Sequence, residues 1–295
     1  MSRHLRLLAC LSLLASCQQS PPAAQPHYVA GAAWQAEGVW HYPQDSLELN
    51  QTGIAMVYRN PPRLTSNGEI YDASILTAAQ QTLALPAIAR LTNLENGLQL
   101  TLRINDRGPA DPGRIVAVTP RVAAFLQFGP DGRARVRLDV LTGESRAATG
   151  ALPGGGGPKL EVGLAPIGVV QQTDWAPPSG ARQAEGRRAA QIVNATPQDQ
   201  AASPALPQRL PETVSHVASE PGQISIELGT FSRQEFANLQ RTRLGGVNAR
   251  IERVQHGRTT SFRVILGPYN TINDADRALR QAIATGAGDA RIIVQ

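Results

Sequence analysis

A chain of 295 residues is long enough for two domains of ordinary size. Hydrophobic residues at 42% support a buried core, whereas aromatics at 4% are too sparse for an aromatic-rich nucleic-acid platform. The net charge of +5 comes from dispersed basic residues with no Lys/Arg block, which argues against nucleic acid and suits an acidic polymer such as cell wall.

The first segment, MSRHLRLLACLSLLASC, places basic Arg3 and Arg6 before an apolar run from Leu7 to Ala15. That run is too short to span a bilayer and reads as the apolar region of a secretory signal. It closes on Leu14-Ala15-Ser16-Cys17, which resembles the lipobox of bacterial lipoproteins. The resemblance implies a signal peptide at 1–16 and acylation of Cys17, whose several chains anchor stably where one does not. Cys10 leaves with the signal, so no disulfide is expected. Gln18 stands where an Asp would imply inner-membrane retention, which points to the outer membrane. Residues 17–27 then read as a Gln/Pro/Ala-rich tether.

Residues 28–144 are expected to form a β-rich barrel with an N-terminal lead-in containing GVWHYP. The stretch ARLTNLENGLQLTLRIND predicts two strands around an Asn96-Gly97 turn. Leu98, Leu100, Leu102 and Ile104 alternate with polar residues, so one face is buried. TPRVAAFLQFG predicts a short helix stopped at Gly129, and RARVRLDVL another strand with Val136, Leu138 and Val140 inward. Asp106 ends the first alternating strand on the side of Leu102 and Ile104, where the chain turns at Gly108-Pro109. A desolvated carboxyl there suits a general acid, while spacing alone equally allows a turn-capping role. Glu69, just after Asn67-Gly68, is open in the same way between a site carboxylate and an exposed acid.

Residues 145–222 are low in complexity and are expected to be a long disordered linker, with one short ordered piece near Leu160–Val170. Its glycine run lacks the Gly-Lys-Ser/Thr ending of a phosphate loop. Residues 223–295 hide a repeat at an offset of thirty-eight: Ile226 matches Val264, Gly229 matches Gly267, Phe231 matches Tyr269, and Ala237 matches Ala275. Each half reads as strand, glycine turn and helix. With further strands at 249–254 and 290–294, the repeat makes a ferredoxin-like βαββαβ domain.

IELGTF followed by FRVILGPYNTINDADRAL resembles the SPOR domain of bacterial division proteins. The resemblance implies binding of septal peptidoglycan stripped of its stem peptides, with Phe231, Arg263 and Tyr269 as candidate contacts. Glu227 stands where that family has Gln, a change expected to alter glycan contact.

TGIA, TSNGEIYDASILTAA, TLALP, RLTNLENG, RINDRGP and PGRIV occur in an order that resembles the rare lipoprotein A (RlpA) family. The resemblance implies a double-psi β-barrel, and so a mainly β plus α+β chain. It also implies a lytic transglycosylase that cuts the MurNAc–GlcNAc bond of peptide-free strands without water, leaving a 1,6-anhydro end. No metal or organic cofactor is implied. One carboxyl group can serve as acid and then base, because the attacking C6 hydroxyl is intramolecular. The family's functional trio maps onto Glu69, Asp106 and, at its histidine position, Gln80. A primary amide carries neither a proton nor a charge near neutral pH. Val57, Arg59 and Ala117 depart from the family pattern as well. The alternative expectation is therefore a catalytically impaired, glycan-binding septal lipoprotein. Either way the expected place is the periplasmic face of the outer membrane, enriched at the septum, with glycan strands and division proteins as partners.

Overall fold

The structure is a computed structural model that describes residues 23–155, 209–244, 249–257 and 259–295. The expected signal peptide, Cys17 and the piece at Leu160–Val170 lie outside the described residues.

The lead-in contains a hairpin, β1 (Trp34–Ala36) and β2 (Val39–His41), with Trp34 opposite His41. Its turn residues Glu37 and Gly38 lie at φ 48° and 80°, the paired left-handed geometry that matches strand twist in a two-residue connection.

Six strands then form a closed ring. They are β3 (Asn50–Val57), β4 (Thr77–Ala79), β5 (Ala87–Asn93), β6 (Leu98–Asp106), β7 (Arg114–Val118) and β8 (Arg133–Val140). The order around the barrel is β4, β7, β3, β8, β5, β6, and β6 pairs back to β4. The expected barrel is present, and it is mixed: the β3–β7 and β4–β6 pairs are parallel and the rest antiparallel. Leu91, Leu102, Ile104, Val116, Val136 and Leu138 fill its interior and are fully buried. Helix α1 (Pro120–Phe125) starts with proline at its first position, where no N–H is needed. It ends earlier than the expected stop at Gly129: Gln127 takes the left-handed conformation instead, at φ 52°.

The described parts of the 145–222 stretch are ordered against this barrel. Helix α2 (Thr142–Gly150) lies on β5, where Ser145 Oγ accepts from Ile88 N and donates to Ile88 O. Strand β9 (Val214–His216) pairs with Leu98–Leu100, extending the edge of β6 that β4 occupies further along. Gly97 makes this possible: at φ 72° it is left-handed, and a Cβ there would meet Val217 O at 2.0 Å. Low-complexity sequence hides this strand because it is held by backbone hydrogen bonds that need no side-chain pattern.

The C-terminal unit runs β10 (Ile224–Phe231), α3 (Gln234–Leu244), β11 (Ala249–His256), β12 (Thr259–Tyr269), α4 (Ile272–Ala284) and β13 (Arg291–Val294). Its antiparallel sheet has the order β11, β12, β10, β13, the ferredoxin-like arrangement expected from the repeat. Ile224, Ile226, Leu228 and Val264 face Ala237, Ala275 and Leu279 of the helices. Arg114 on β7 makes a two-pronged ion pair to Asp276 on α4, at 2.8 and 2.6 Å, and Thr52 donates to Val294 O at 2.6 Å.

Candidate active site

Strand β6 delivers both faces of the site. Leu102 and Ile104 point into the barrel, so alternation sends Arg103 and Asn105 the other way. Both are nevertheless buried, because they meet the carboxylate of Glu69. Arg103 donates to Glu69 Oε1 from Nε at 2.9 Å and from Nη2 at 2.6 Å, and Asn67 adds a bond at 2.8 Å. Asn105 takes Oε2 at 2.7 Å. Glu69 is only 1% exposed, so its charge is matched and both oxygens are satisfied in place. Gly68 lets the chain reach this position: it is left-handed at φ 81°, and a Cβ would meet Gln25 O at 2.2 Å.

Asp106, at the end of β6, is 3% exposed. Oδ1 accepts from Ser66 N at 2.8 Å, Ser66 Oγ at 2.6 Å and Arg107 N at 2.8 Å. Among the described residues Oδ2 has one partner, the Tyr58 hydroxyl at 2.5 Å. Neighbouring Ser66 and Asn67 thus hold the two carboxylates, one each. Burial, then the hydrogen bond to Asp106 and its charge, push the Tyr58 hydroxyl well above its ordinary pKa. Tyr58 is therefore a neutral phenol at physiological pH, able to donate or accept. It stands edge-on to Tyr71, with ring centres 5.9 Å apart.

Gln80 lies beside Asp106 along the backbone, its N–H donating to Asp106 O at 3.0 Å. Its side chain turns to the chain that follows: Oε1 accepts from Thr82 N at 2.6 Å and Leu83 N at 2.8 Å. The amide works as a turn cap, with only its NH2 end left to meet a ligand.

A cleft of about 220 Å³ adjoins Tyr58 and is lined by Trp34, Met56, Arg59, Pro109, Asp111 and Ala117 among others. Two of the departures noted in the sequence, Arg59 and Ala117, belong to this wall, whereas Val57 packs against the barrel core. Reading the sequence missed Tyr58, Ser66, Arg103 and Asn105. The last two carried a signal: polar residues at every second position of a strand whose other face is core.

In the C-terminal sheet, Arg263 and Glu227 come together. Arg263 bonds Glu252 at 2.9 Å and lies 4.0 Å from Glu227, which also takes two 3.1 Å bonds from Arg291 and one from Thr230. Glu227 is buried and its charge is balanced. Phe231 and Tyr269 are half-buried against the core cluster that the helices share. Among the described residues, Ser225 Oγ and Arg263 Nε are the buried side-chain polar atoms without a partner, and both belong to this sheet.

Comparison with known proteins gives the same two parts. The family described as "Lytic transglycolase" matches residues 50–138, and the SPOR domain family matches residues 220–294. A protein named endolytic peptidoglycan transglycosylase RlpA, from Pseudomonas aeruginosa strain PAO1, is 31% identical over 247 residues, covering 81% of this chain and 70% of its own. The protein of that name from Neisseria meningitidis serogroup B strain MC58 is 36% identical, over 44% of this chain and 56% of that one. The one from Rickettsia bellii is 32% identical, over 40% and 55%. The chain thus spans just over half the length of these last two relatives. A crystal structure of the RlpA SPOR domain from Pseudomonas aeruginosa matches 24% of this chain and 99% of its own, at 21% identity and a TM-score of 0.23.

Proposed function

The chain belongs to the RlpA family of endolytic peptidoglycan transglycosylases, and from that premise we propose that it cleaves peptide-free glycan strands with Asp106 as acid and base. The observation that carries this reading is the uneven set of partners around the Asp106 carboxylate. Among the described residues, Oδ1 is held by three donors, two of them backbone N–H groups, while Oδ2 faces only a phenol that can reverse its role. Oδ2 is thus the oxygen that can carry a proton. In the proposed reaction Asp106 gives that proton to the glycosidic oxygen as the C1–O bond breaks. The C6 hydroxyl of the same MurNAc then attacks C1, and its proton returns to Asp106. Atoms balance without water, and the acid is regenerated. Glu69 positions: locked by Arg103, it fixes the loop that places Ser66 against Asp106.

We further propose that the C-terminal unit binds stripped septal glycan, that Cys17 is the lipid anchor, and that the protein works at the outer membrane during cell separation. The unpartnered Ser225 and Arg263 atoms support a polar ligand on that sheet.

Gln80 favours a second reading, a glycan-binding lipoprotein whose barrel no longer turns over, because a capping amide cannot move a proton. The deciding experiment incubates residues 18–295 with peptide-free glycan strands and analyses the products by mass. Anhydro ends support the enzyme; their absence at high protein loading leaves the binding reading.

A further inference from the structure

The hairpin β1–β2 lies outside the matched family segment and is fastened beside the site. Trp34 Nε1 donates to Gln81 O at 3.2 Å, and its ring stacks on His41 with centres 4.4 Å apart. Trp40 in β2 and Tyr42 just after it face outward, 52% and 62% exposed, and their rings stack at 6.3 Å. Between the hairpin, the barrel and the 288–292 segment runs a groove of about 420 Å³, within the range of roughly 300–1,000 Å³ typical of small-molecule clefts. Trp40, His41, Gln51, Gln80, Arg114 and Arg291 are among its lining residues.

We propose that this groove is a second glycan subsite, which seats the N-acetylhexosamine strand on the side of Asp106 marked by Gln80. The inference rests on the glycan-cleaving reading above. Three features favour a sugar. Exposed aromatic rings offer an electron-rich face to the C–H bonds of a pyranose. The amides of Gln51 and Gln80 and the neutral imidazole of His41, whose pKa burial lowers, supply hydrogen bonds for hydroxyl and N-acetyl groups. Both lining arginines are already matched, Arg114 by Asp276 and Arg291 by Glu227, so the groove holds the strand through its hydroxyl and N-acetyl groups and not through the lactyl carboxylate of N-acetylmuramic acid. Gln80 joins the groove to the reaction centre, since its backbone N–H bonds Asp106 O.

The test uses the mature chain carrying Asp106→Asn, so that the probe is not consumed. The probe is a peptide-free octasaccharide of alternating N-acetylglucosamine and N-acetylmuramic acid. Indole NMR signals of Trp34, Trp40 and Trp175 are followed during titration, with Trp40 reporting on the hairpin wall of the groove. The Trp40 signal is expected to shift saturably, and Trp40→Ala to weaken binding at least tenfold as read at the His41 ring. If that variant fails to fold, Tyr42→Ala, read at the Trp40 indole, serves with the same expectation. A stationary Trp40 signal while wild-type protein yields anhydro ends overturns the subsite and leaves the activity standing. A moving signal without anhydro ends does the reverse. Neither signal nor product overturns both.

Discussion

Arg103 and Glu69 form a buried pair in which two guanidinium nitrogens, at 2.9 and 2.6 Å, share one carboxylate oxygen. Their positions differ by thirty-four residues, so the pair ties the loop before β4 to the middle of β6. Glu69→Ala leaves Arg103 buried without its counter-charge, and is expected to cost about 3–5 kcal/mol. The double variant Glu69→Leu, Arg103→Met is expected to recover most of that loss. Urea denaturation of the two variants measures it; a single-variant loss below about 1 kcal/mol would mark the pair as no more than a surface ion pair.

Tyr58→Phe removes the one partner that Asp106 Oδ2 has among the described residues, and little packing. A hydrogen bond to a charged group contributes about 1.5–3 kcal/mol, which corresponds to roughly 10- to 150-fold in kcat if it is realised in the transition state. KM is expected to stay unchanged, because the phenol acts on the carboxyl and not on the sugar. A raised KM with unchanged kcat would place Tyr58 in substrate binding instead.

Gln80 separates stability from chemistry. Gln80→Ala strips the acceptor from two N–H groups, Leu83 N among them, at an expected cost of about 1–3 kcal/mol in thermal or urea unfolding. Gln80→His can keep one of these bonds through a ring nitrogen and restores a proton carrier. A gain in turnover would identify a decayed site, whereas none would point to the cleft wall changed at Arg59 and Ala117.

His41 sets a pH dependence in the hairpin. Burial lowers its pKa below the ordinary 6.5, so the unfolded hairpin binds the proton more readily. Hairpin stability from this group is complete above about pH 6.5 and declines as pH falls through the folded value. An NMR titration of the His41 ring is expected to give a midpoint below 6.5, with the Trp34 indole signal losing dispersion in the same range. His41→Phe, which keeps the stacking on Trp34, is expected to remove that dependence.

What the sequence revealed follows from how each element is held. Strands β5, β6 and β8 were legible because burial of one face imposes alternation, and the turn at Asn96-Gly97 needed a residue free to be left-handed. Strand β4 was not: its three residues are all buried, so no alternation survives. The hairpin carried a local sign in Glu37-Gly38, but its aromatic outer face has meaning only beside the groove. At the site, Glu69 and Asp106 could be singled out from their motifs. Ser66 and Tyr58 could not, since each acts across a distance in sequence that only the closed barrel removes, and the alternation that marks Arg103 does not name its partner.

The order found at α2 and β9 bears on how the barrel and the C-terminal unit are spaced. A leash sets how far its free end can wander, and a longer leash gives more reach. Here the chain is fixed to the barrel before residue 156 by α2 on β5, and again after residue 208 by β9 on β6. With β9 fastened to the barrel just ahead of β10, the proposed acid–base centre and the C-terminal sheet are held at a set spacing, so the two would grip one strand as a ruler does.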